Sequence, residues 1–210
     1  MHFEELRSPD WNQATISTVG CIVFILLGGI GQCVQIRKIW KSEDAARVSL
    51  LATLAMSFFF SAYFVRGIVE TKVMFLAQGT IRVVLYIPII IGIFRFGASS
   101  RKDWAMIATA LFILGSMVLV DAWRVPGFFI ASTIAVIANI HQAKQVLSGN
   151  GKVSMILYVT MWMSVSFQTW YGWHFKEYIL LASCSCFAIV YTIILSVMLK
   201  NKLTKSAAQG

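Results

Sequence analysis

Seven long stretches of apolar residues, separated by short polar connections, dominate this sequence and restrict it to a membrane fold. They are Ser17–Ile36, Val48–Val65, Val73–Phe94, Trp104–Val120, Val125–Ile140, Val153–Trp173 and Tyr178–Leu199. A helix needs about 20 mostly apolar residues to cross the hydrocarbon core, and these stretches do not alternate as the strands of a membrane β-barrel do. The sequence therefore predicts an all-α membrane protein with seven transmembrane helices.

The basic residues are unevenly distributed over the connections. Twelve Lys and Arg residues fall in the first, third and fifth connections and the C-terminal tail, against five on the opposite side. Because cytoplasmic loops carry an excess of Lys and Arg, we predict an N-terminus outside and a C-terminus in the cytoplasm, most simply of a plasma membrane. The net charge of +9 is then a topology signal, and no nucleic-acid partner is expected.

A constant offset relates the two ends of the chain. Gln35 and Gln142, near the ends of the first and fifth stretches, lie 107 residues apart. Beyond the next connection the offset is 105, and it pairs Val48-Ser49-Leu50 with Val153-Ser154-Met155, Met56 with Met161, Ser61 with Ser166, Gly67 with Gly172, Ala77 with Ala182 and Tyr86 with Tyr191. One offset that runs through two helices predicts a duplicated three-helix unit.

The fourth helix links the two units and lets both enter the membrane in the same direction, a 3+1+3 plan of two parallel repeats. The predicted segments are an extracytoplasmic N-terminal segment 1–16, a first repeat 17–97, a linker helix 103–122, a second repeat 124–200 and a cytoplasmic tail 201–210. Transporters with such repeats hold their substrate near the middle of the bilayer, between the two halves.

The segment Val34-Gln35-Ile36-Arg37-Lys38, followed by Arg47-Val48-Ser49-Leu50, resembles the signature loop of the PQ-loop superfamily. Among its members, the SWEET-type sugar transporters are similar in size, helix count and topology over nearly the whole chain after residue 16. In that family a proline precedes each motif glutamine and serves as a hinge. The resemblance therefore implies hinge or gating positions at Val34, Gln35, His141 and Gln142, with Val34 and His141 standing where the family has proline.

Polar side chains recur at matching positions of the two repeats, and inward-facing ones are expected because lipid-facing ones are penalised. They are Gln32, Gln35, Asn139 and Gln142 on the first and fifth helices, Ser57, Ser61, Trp162 and Ser166 on the second and sixth, and Gln78, Thr80, Ser183 and Ser185 on the third and seventh. The resemblance implies substrate contacts at Gln78 and Ser183, where SWEET-like proteins carry Asn, and at a mid-depth Trp. For each Ser the alternative is a hydrogen bond to its own helix.

Arg82 is the one charged residue inside any apolar stretch. A cation at that depth costs roughly 2.5–3.5 kcal/mol on insertion scales. It either contacts an anionic or carbonyl-bearing solute, or bonds helix-end carbonyls or the outer carboxylates Glu70 and Asp121. Gln78 lies one helical turn away on the same face. The predicted substrate-binding set is Ser57, Gln78, Arg82, Asn139, Trp162, Ser183 and Ser185.

No Asp or Glu falls inside an apolar stretch, which favours facilitated diffusion over proton-driven transport. Enzyme motifs such as the Walker loop are absent from the sequence, so neither catalysis nor a cofactor or metal is expected. The leading hypothesis is a transporter of a small polar solute, with the lipid bilayer and that solute as partners and a homo-oligomer left open. The alternative is a seven-helix sorting receptor that grips a peptide carboxylate with Arg66, Arg82 and Arg124.

Overall fold

The computed structural model describes residues 13–43, 50–97, 101–147 and 155–207, and seven α-helices occupy most of these ranges. The helices are α1 Gln13–Ser42, α2 Leu50–Val69, α3 Val73–Phe96, α4 Arg101–Leu119, α5 Arg124–Leu147, α6 Met155–His174 and α7 Tyr178–Ala207, with a short 3₁₀ turn at Asp121–Trp123. The predicted N-terminal segment ends inside α1, and α7 runs into the predicted tail; residues 1–12 and 208–210 lie outside the described ranges.

Six of the helices form a closed ring, and α4 packs outside it. Around the ring the order is α1, α3, α2, α5, α7 and α6, with α6 contacting α1 again, while α4 packs against α2 and α5. Exchanging α1 with α5, α2 with α6 and α3 with α7 leaves this order unchanged. The two triplets are therefore related by a pseudo-two-fold axis, and the predicted 3+1+3 plan is confirmed.

The two helix hairpins that follow α2 and α6 show the duplication at the level of single backbone angles. Thr71 and Lys176, which lie 105 residues apart, both adopt positive φ, at 53° and 56°. Gly67 packs against the backbone of Leu76, and its equivalent Gly172 packs against Leu181. A side chain at Gly67 would overlap the Leu76 backbone, so glycine allows each hairpin to close tightly.

The surface of the bundle is apolar and its interior holds polar groups, as a lipid environment requires. Large exposed side chains include Leu26, Ile30, Val84, Ile87, Phe112, Leu119, Ile137 and Ile189. Buried polar side chains include Gln32, Gln78, Arg82, Asn139, Ser164 and Gln168.

Within the described ranges, five helices are long and apolar enough to cross a membrane, judged by length and composition. They are the spans Thr15–Ser42, Leu50–Val69, Val73–Phe96, Asp121–Lys144 and Tyr178–Lys200. The apolar part of α4, Trp104–Leu119, is shorter, and α6 packs between α1 and α7 within the ring. The chain is an integral, multi-pass membrane protein.

Candidate functional site

A cavity lies between the two triplets, toward the C-terminal ends of α1 and α5. Its volume is about 80 Å³, enough for several water molecules or a small solute. Twelve of its lining residues form six pairs at the repeat offsets: Gln32 with Asn139, Gln35 with Gln142, Ala52 with Leu157, Thr53 with Tyr158, Met56 with Met161, and Tyr86 with Tyr191. The pseudo-two-fold axis therefore runs through the cavity.

Asn139 is the most firmly held polar group of the cavity wall. Its Nδ2 donates to the Ala135 carbonyl over 2.9 Å, and its Oδ1 accepts from the Tyr191 hydroxyl over 3.4 Å. Its Nδ2 also lies 2.8 Å from the Met56 sulfur, which belongs to the first repeat. Asn139 thus joins α5, α7 and α2 at the cavity wall.

Three cavity-lining groups keep free hydrogen-bonding capacity. Within the described part of the chain, the Gln32 amide nitrogen, the Gln35 amide oxygen and the Tyr158 hydroxyl are buried without a hydrogen-bond partner. A buried polar group without a partner costs about 1–3 kcal/mol. These groups can bind water or a polar solute inside the cavity.

Arg82 lies behind the first-repeat wall and is fully buried. Its Nη1 donates to the Gln32 amide oxygen over 3.0 Å, and its guanidinium lies 5.8 Å from the centre of the Phe60 ring. A side chain at Gly28 would overlap the guanidinium, so α1 leaves room for it there. Glu70, one of the carboxylates that the sequence offered as a partner, instead pairs with Arg66, and Asp121 pairs with Arg124.

On the side of the hairpins, the cavity is closed by a layer of buried aromatic residues around the axis. The layer contains Phe59, Phe60, Tyr63, Phe75, Phe128, Tyr171 and Phe187, with ring centres mostly 5–6 Å apart. Such edge-to-face and tilted contacts are favourable for aromatic rings. Inside it, the Tyr63 hydroxyl donates to the Gln168 amide oxygen over 3.1 Å.

A network of four charged residues lies outside the aromatic layer and joins the two repeats. Arg66 donates to Glu70 over 2.6 and 2.7 Å and to Glu177 over 3.2 Å. Lys72 pairs with Glu177 and lies 3.5 Å from Glu70. Because Arg66 and Lys72 belong to the first repeat and Glu177 to the second, the network holds this side of the bundle shut.

Five of the predicted site residues lie at the cavity or close to it. Gln35, Asn139 and Gln142 line the cavity. Arg82 contacts the cavity-lining Gln32. Gln78 is buried one turn further toward the hairpins, and its amide oxygen has no hydrogen-bond partner among the described residues.

Four other residues of the predicted set do not line the cavity. Trp162 is 39% exposed and donates to Thr192 over 3.0 Å on the outer face of α6 and α7. Ser57 lines an apolar side pocket between α2, α3 and α4. Ser183 bonds Ser132 between α5 and α7, and Ser185 donates to the Leu181 carbonyl of its own helix over 2.7 Å.

The two residues at the family's proline positions, Val34 and His141, are exposed and precede the cavity-lining glutamines. Neither interrupts its helix, because α1 and α5 run continuously through them.

Sequence reasoning did not assign Thr53, Met56, Tyr86, Tyr158, Met161 and Tyr191 to the site, although all six line the cavity. The signal for four of them was already in the repeat. Met56 with Met161 and Tyr86 with Tyr191 match at the offset of 105, and identical residues at equivalent positions are the natural lining of a site on the axis.

Comparison with known proteins supports the fold alone. One solved structure, of a eukaryotic SWEET transporter, is similar with a TM-score of 0.62, at 10% sequence identity, over 88% of this chain and 98% of that one. No protein-family model matches the chain, and no match was found among curated proteins. The chain therefore has a SWEET-like seven-helix fold, as the signature loop implied.

Proposed function

We propose that this protein is a membrane transporter that moves a small polar solute by facilitated alternating access of its two repeats. The observation that carries the proposal is the cavity on the pseudo-two-fold axis, lined by six pairs of equivalent residues and closed on one side. A path through lipid needs polar groups turned inward. Gln32, Gln35, Asn139 and Gln142 supply them.

The arrangement corresponds to one end state of the transport cycle. The cavity lies toward the helix ends that carry Arg37, Lys38 and Lys144, which the charge distribution places in the cytoplasm. The opposite side is closed by Tyr63 with Gln168 and by Lys72 with Glu177. In this proposal the state is closed to the outside, and the solute site is reached from the cytoplasmic side.

The cycle follows from the symmetry. Rocking the repeats apart on the outer side separates Tyr63 from Gln168 and Lys72 from Glu177, and it brings Gln35 and Gln142 together on the cytoplasmic side. A net hydrogen bond contributes about 1 kcal/mol, and the Lys72–Glu177 ion pair is partly open to solvent, with side chains 28% and 14% exposed. The closed side is therefore held by interactions weak enough for solute binding to shift.

The chain carries out uniport in this proposal. The carboxylates of the described residues that form ion pairs are Glu70, Glu177 and Asp121, all at helix ends. None of these three carboxylates lies at the cavity, so none of them can carry a proton together with the solute. The plasma membrane and an outside N-terminus belong to the same proposal.

The sorting-receptor alternative gains no support from the geometry. It requires several cations in one pocket, but Arg66 pairs with Glu70 and Glu177. Arg124 pairs with Asp121 at the start of α5, and Arg82 is bonded to Gln32 inside the first triplet.

The test is solute exchange by purified protein in liposomes, with labelled sugars, amino acids, polyols and organic acids. We expect one class to exchange faster than in empty liposomes, and Asn139→Ala to slow that exchange. Trp162→Phe is the matched control, because Trp162 lies on the outer face. Exchange of no solute, or equal slowing by both variants, would contradict the proposed site and mechanism.

A further inference from the structure

We infer that the transported solute is a small monoanion whose carboxylate is bound on the first-repeat wall by Arg82 and Gln32. The inference rests on the proposed transport function and narrows its substrate class. It starts from the positive charge of Arg82, which no described ion pair neutralises.

The Arg82 guanidinium is only partly used by the protein. One of its nitrogens, Nη1, donates to Gln32, while Nε and Nη2 have no hydrogen-bond partner in the described part of the chain. The side chain is fully buried. An arginine holds its charge in proteins and presents a fork of donors that fits a carboxylate.

Arg82 has no carboxylate partner within the described structure. The ion pairs there join Arg66, Glu70, Lys72 and Glu177 at the outer hairpins, and Arg124 with Asp121 at the start of α5. No acidic residue of the sequence falls inside an apolar stretch. An anion from solution is therefore the natural counter-charge for Arg82.

Gln32 connects Arg82 to the cavity. It is 2% exposed, lines the cavity, and accepts the Arg82 bond through its amide oxygen. With its oxygen occupied, Gln32 has its amide N–H groups left to offer a solute. A carboxylate needs donors, and Arg82 and Gln32 both supply them.

The two sides of the cavity differ in the charge that lies behind their walls, and this difference sets the charge of the solute. The position equivalent to Arg82 in the second repeat is Phe187, and the equivalent of Gln32 is Asn139, whose amide is bonded to Ala135 and Tyr191. The residues that line the cavity are uncharged, but the Arg82 cation lies directly behind Gln32 on the first-repeat side, and no cation stands at the equivalent position of the second repeat. This asymmetry fits one carboxylate at the first repeat and a polar, uncharged end toward the second.

The experiment compares glycerate with its neutral amide, glyceramide, in proteoliposomes of the full chain, with empty liposomes subtracted. We expect exchange of glycerate over glyceramide. In net uptake, with no glycerate inside the liposomes, an inside-positive membrane potential should speed glycerate entry, because each completed cycle carries one negative charge inward. Arg82→Met should slow glycerate about tenfold or more, and Arg82→Lys should restore part of the rate. Gly28→Ala, which displaces the guanidinium while keeping the charge, should also slow it.

The outcomes separate the two proposals. Exchange of sugars or glyceramide that Arg82→Met leaves unchanged would overturn the anion inference and leave the transport proposal standing. Exchange of no solute would contradict both. Should Arg82→Met fail to fold, the Gly28→Ala rate and the potential dependence of net uptake by the native protein decide, and net glycerate uptake that is insensitive to potential would overturn the inference.

Discussion

The Tyr63 hydroxyl donates a hydrogen bond to the amide oxygen of Gln168 over 3.1 Å, and the two residues occupy the same position in the two repeats. Residues that bond to their own equivalents must lie beside the pseudo-two-fold axis. Lys72 and Glu177, also 105 residues apart, do the same nearer the outer surface. The axis is thus marked by direct contacts on the closed side and by an open space on the other.

The Tyr63–Gln168 bond should stabilise the closed side measurably. Replacing Tyr63 by Phe leaves the buried Gln168 oxygen with the Cys184 thiol at 3.6 Å, so we expect Tyr63→Phe to lower the free energy of unfolding by about 1–3 kcal/mol. Unfolding of the purified protein in detergent measures the change. Gln168→Leu completes a double-mutant cycle, and strictly additive effects of the two substitutions would show that the bond carries no coupling.

The Lys72–Glu177 pair should control access from the outer side. Glu177→Lys places a third cation beside Arg66 and Lys72, and like-charge repulsion should open the outer hairpins. The readout is labelling of Phe75→Cys by a membrane-impermeant maleimide, in a protein whose four native cysteines are replaced by Ala.

We expect faster labelling in Glu177→Lys than in the Phe75→Cys parent. The double exchange Lys72→Glu with Glu177→Lys should bring the rate part of the way back, because an opposite-charge pair is restored. Equal labelling rates in all three proteins would count against a gate at this network.

The tight hairpins should depend on glycine at one position in each repeat. A Cβ at Gly67 would overlap the Leu76 backbone, and one at Gly172 would lie 3.0 Å from the Leu181 nitrogen. Gly67→Ala should therefore reduce thermal stability more than Gly172→Ala. Gly115, where an added Cβ would have no packing neighbour within 4 Å, is the control, and Gly115→Ala should leave the melting temperature unchanged or higher. A neutral Gly67→Ala would contradict the close approach of α2 and α3.

The orientation of the chain is open to a direct test. Because the basic connections are expected in the cytoplasm, green fluorescent protein fused after Gly210 should fluoresce, and alkaline phosphatase fused there should be inactive in a bacterial host. The reverse pattern would place the cavity opening on the outside of the cell.

The helix count and the repeat were predictable because both depend only on the order of residues along the chain. Hydropathy shows where a segment can cross a bilayer, and the offset of 105 that pairs Tyr86 with Tyr191 needs no knowledge of packing. The boundary between α4 and α5 was the least clear in the sequence, because two short apolar stretches lie close together around Asp121 and Arg124; the structure ends α4 at Leu119 and begins α5 at Arg124.

The membership of the site was only partly predictable. Asn139, Gln35 and Gln142 line the cavity, but Trp162 faces outward although its neighbour Met161 lines the cavity. Successive residues of a helix point about 100° apart. When nearly every residue of a membrane helix is apolar, the sequence does not show which face points into the bundle. Serines are equally ambiguous, since Ser185 bonds its own helix.

The sequence by itself determined a seven-helix membrane protein made of two parallel repeats, because apolar length and internal periodicity are fixed by residue order. Only the tertiary structure decided that Tyr63 meets Gln168, that Lys72 meets Glu177, and that Arg82 lies behind Gln32 at the wall of a cavity. These contacts join residues 50 to 105 positions apart. Such residues meet only when each helix is rotated correctly about its own axis, and helix packing fixes that rotation.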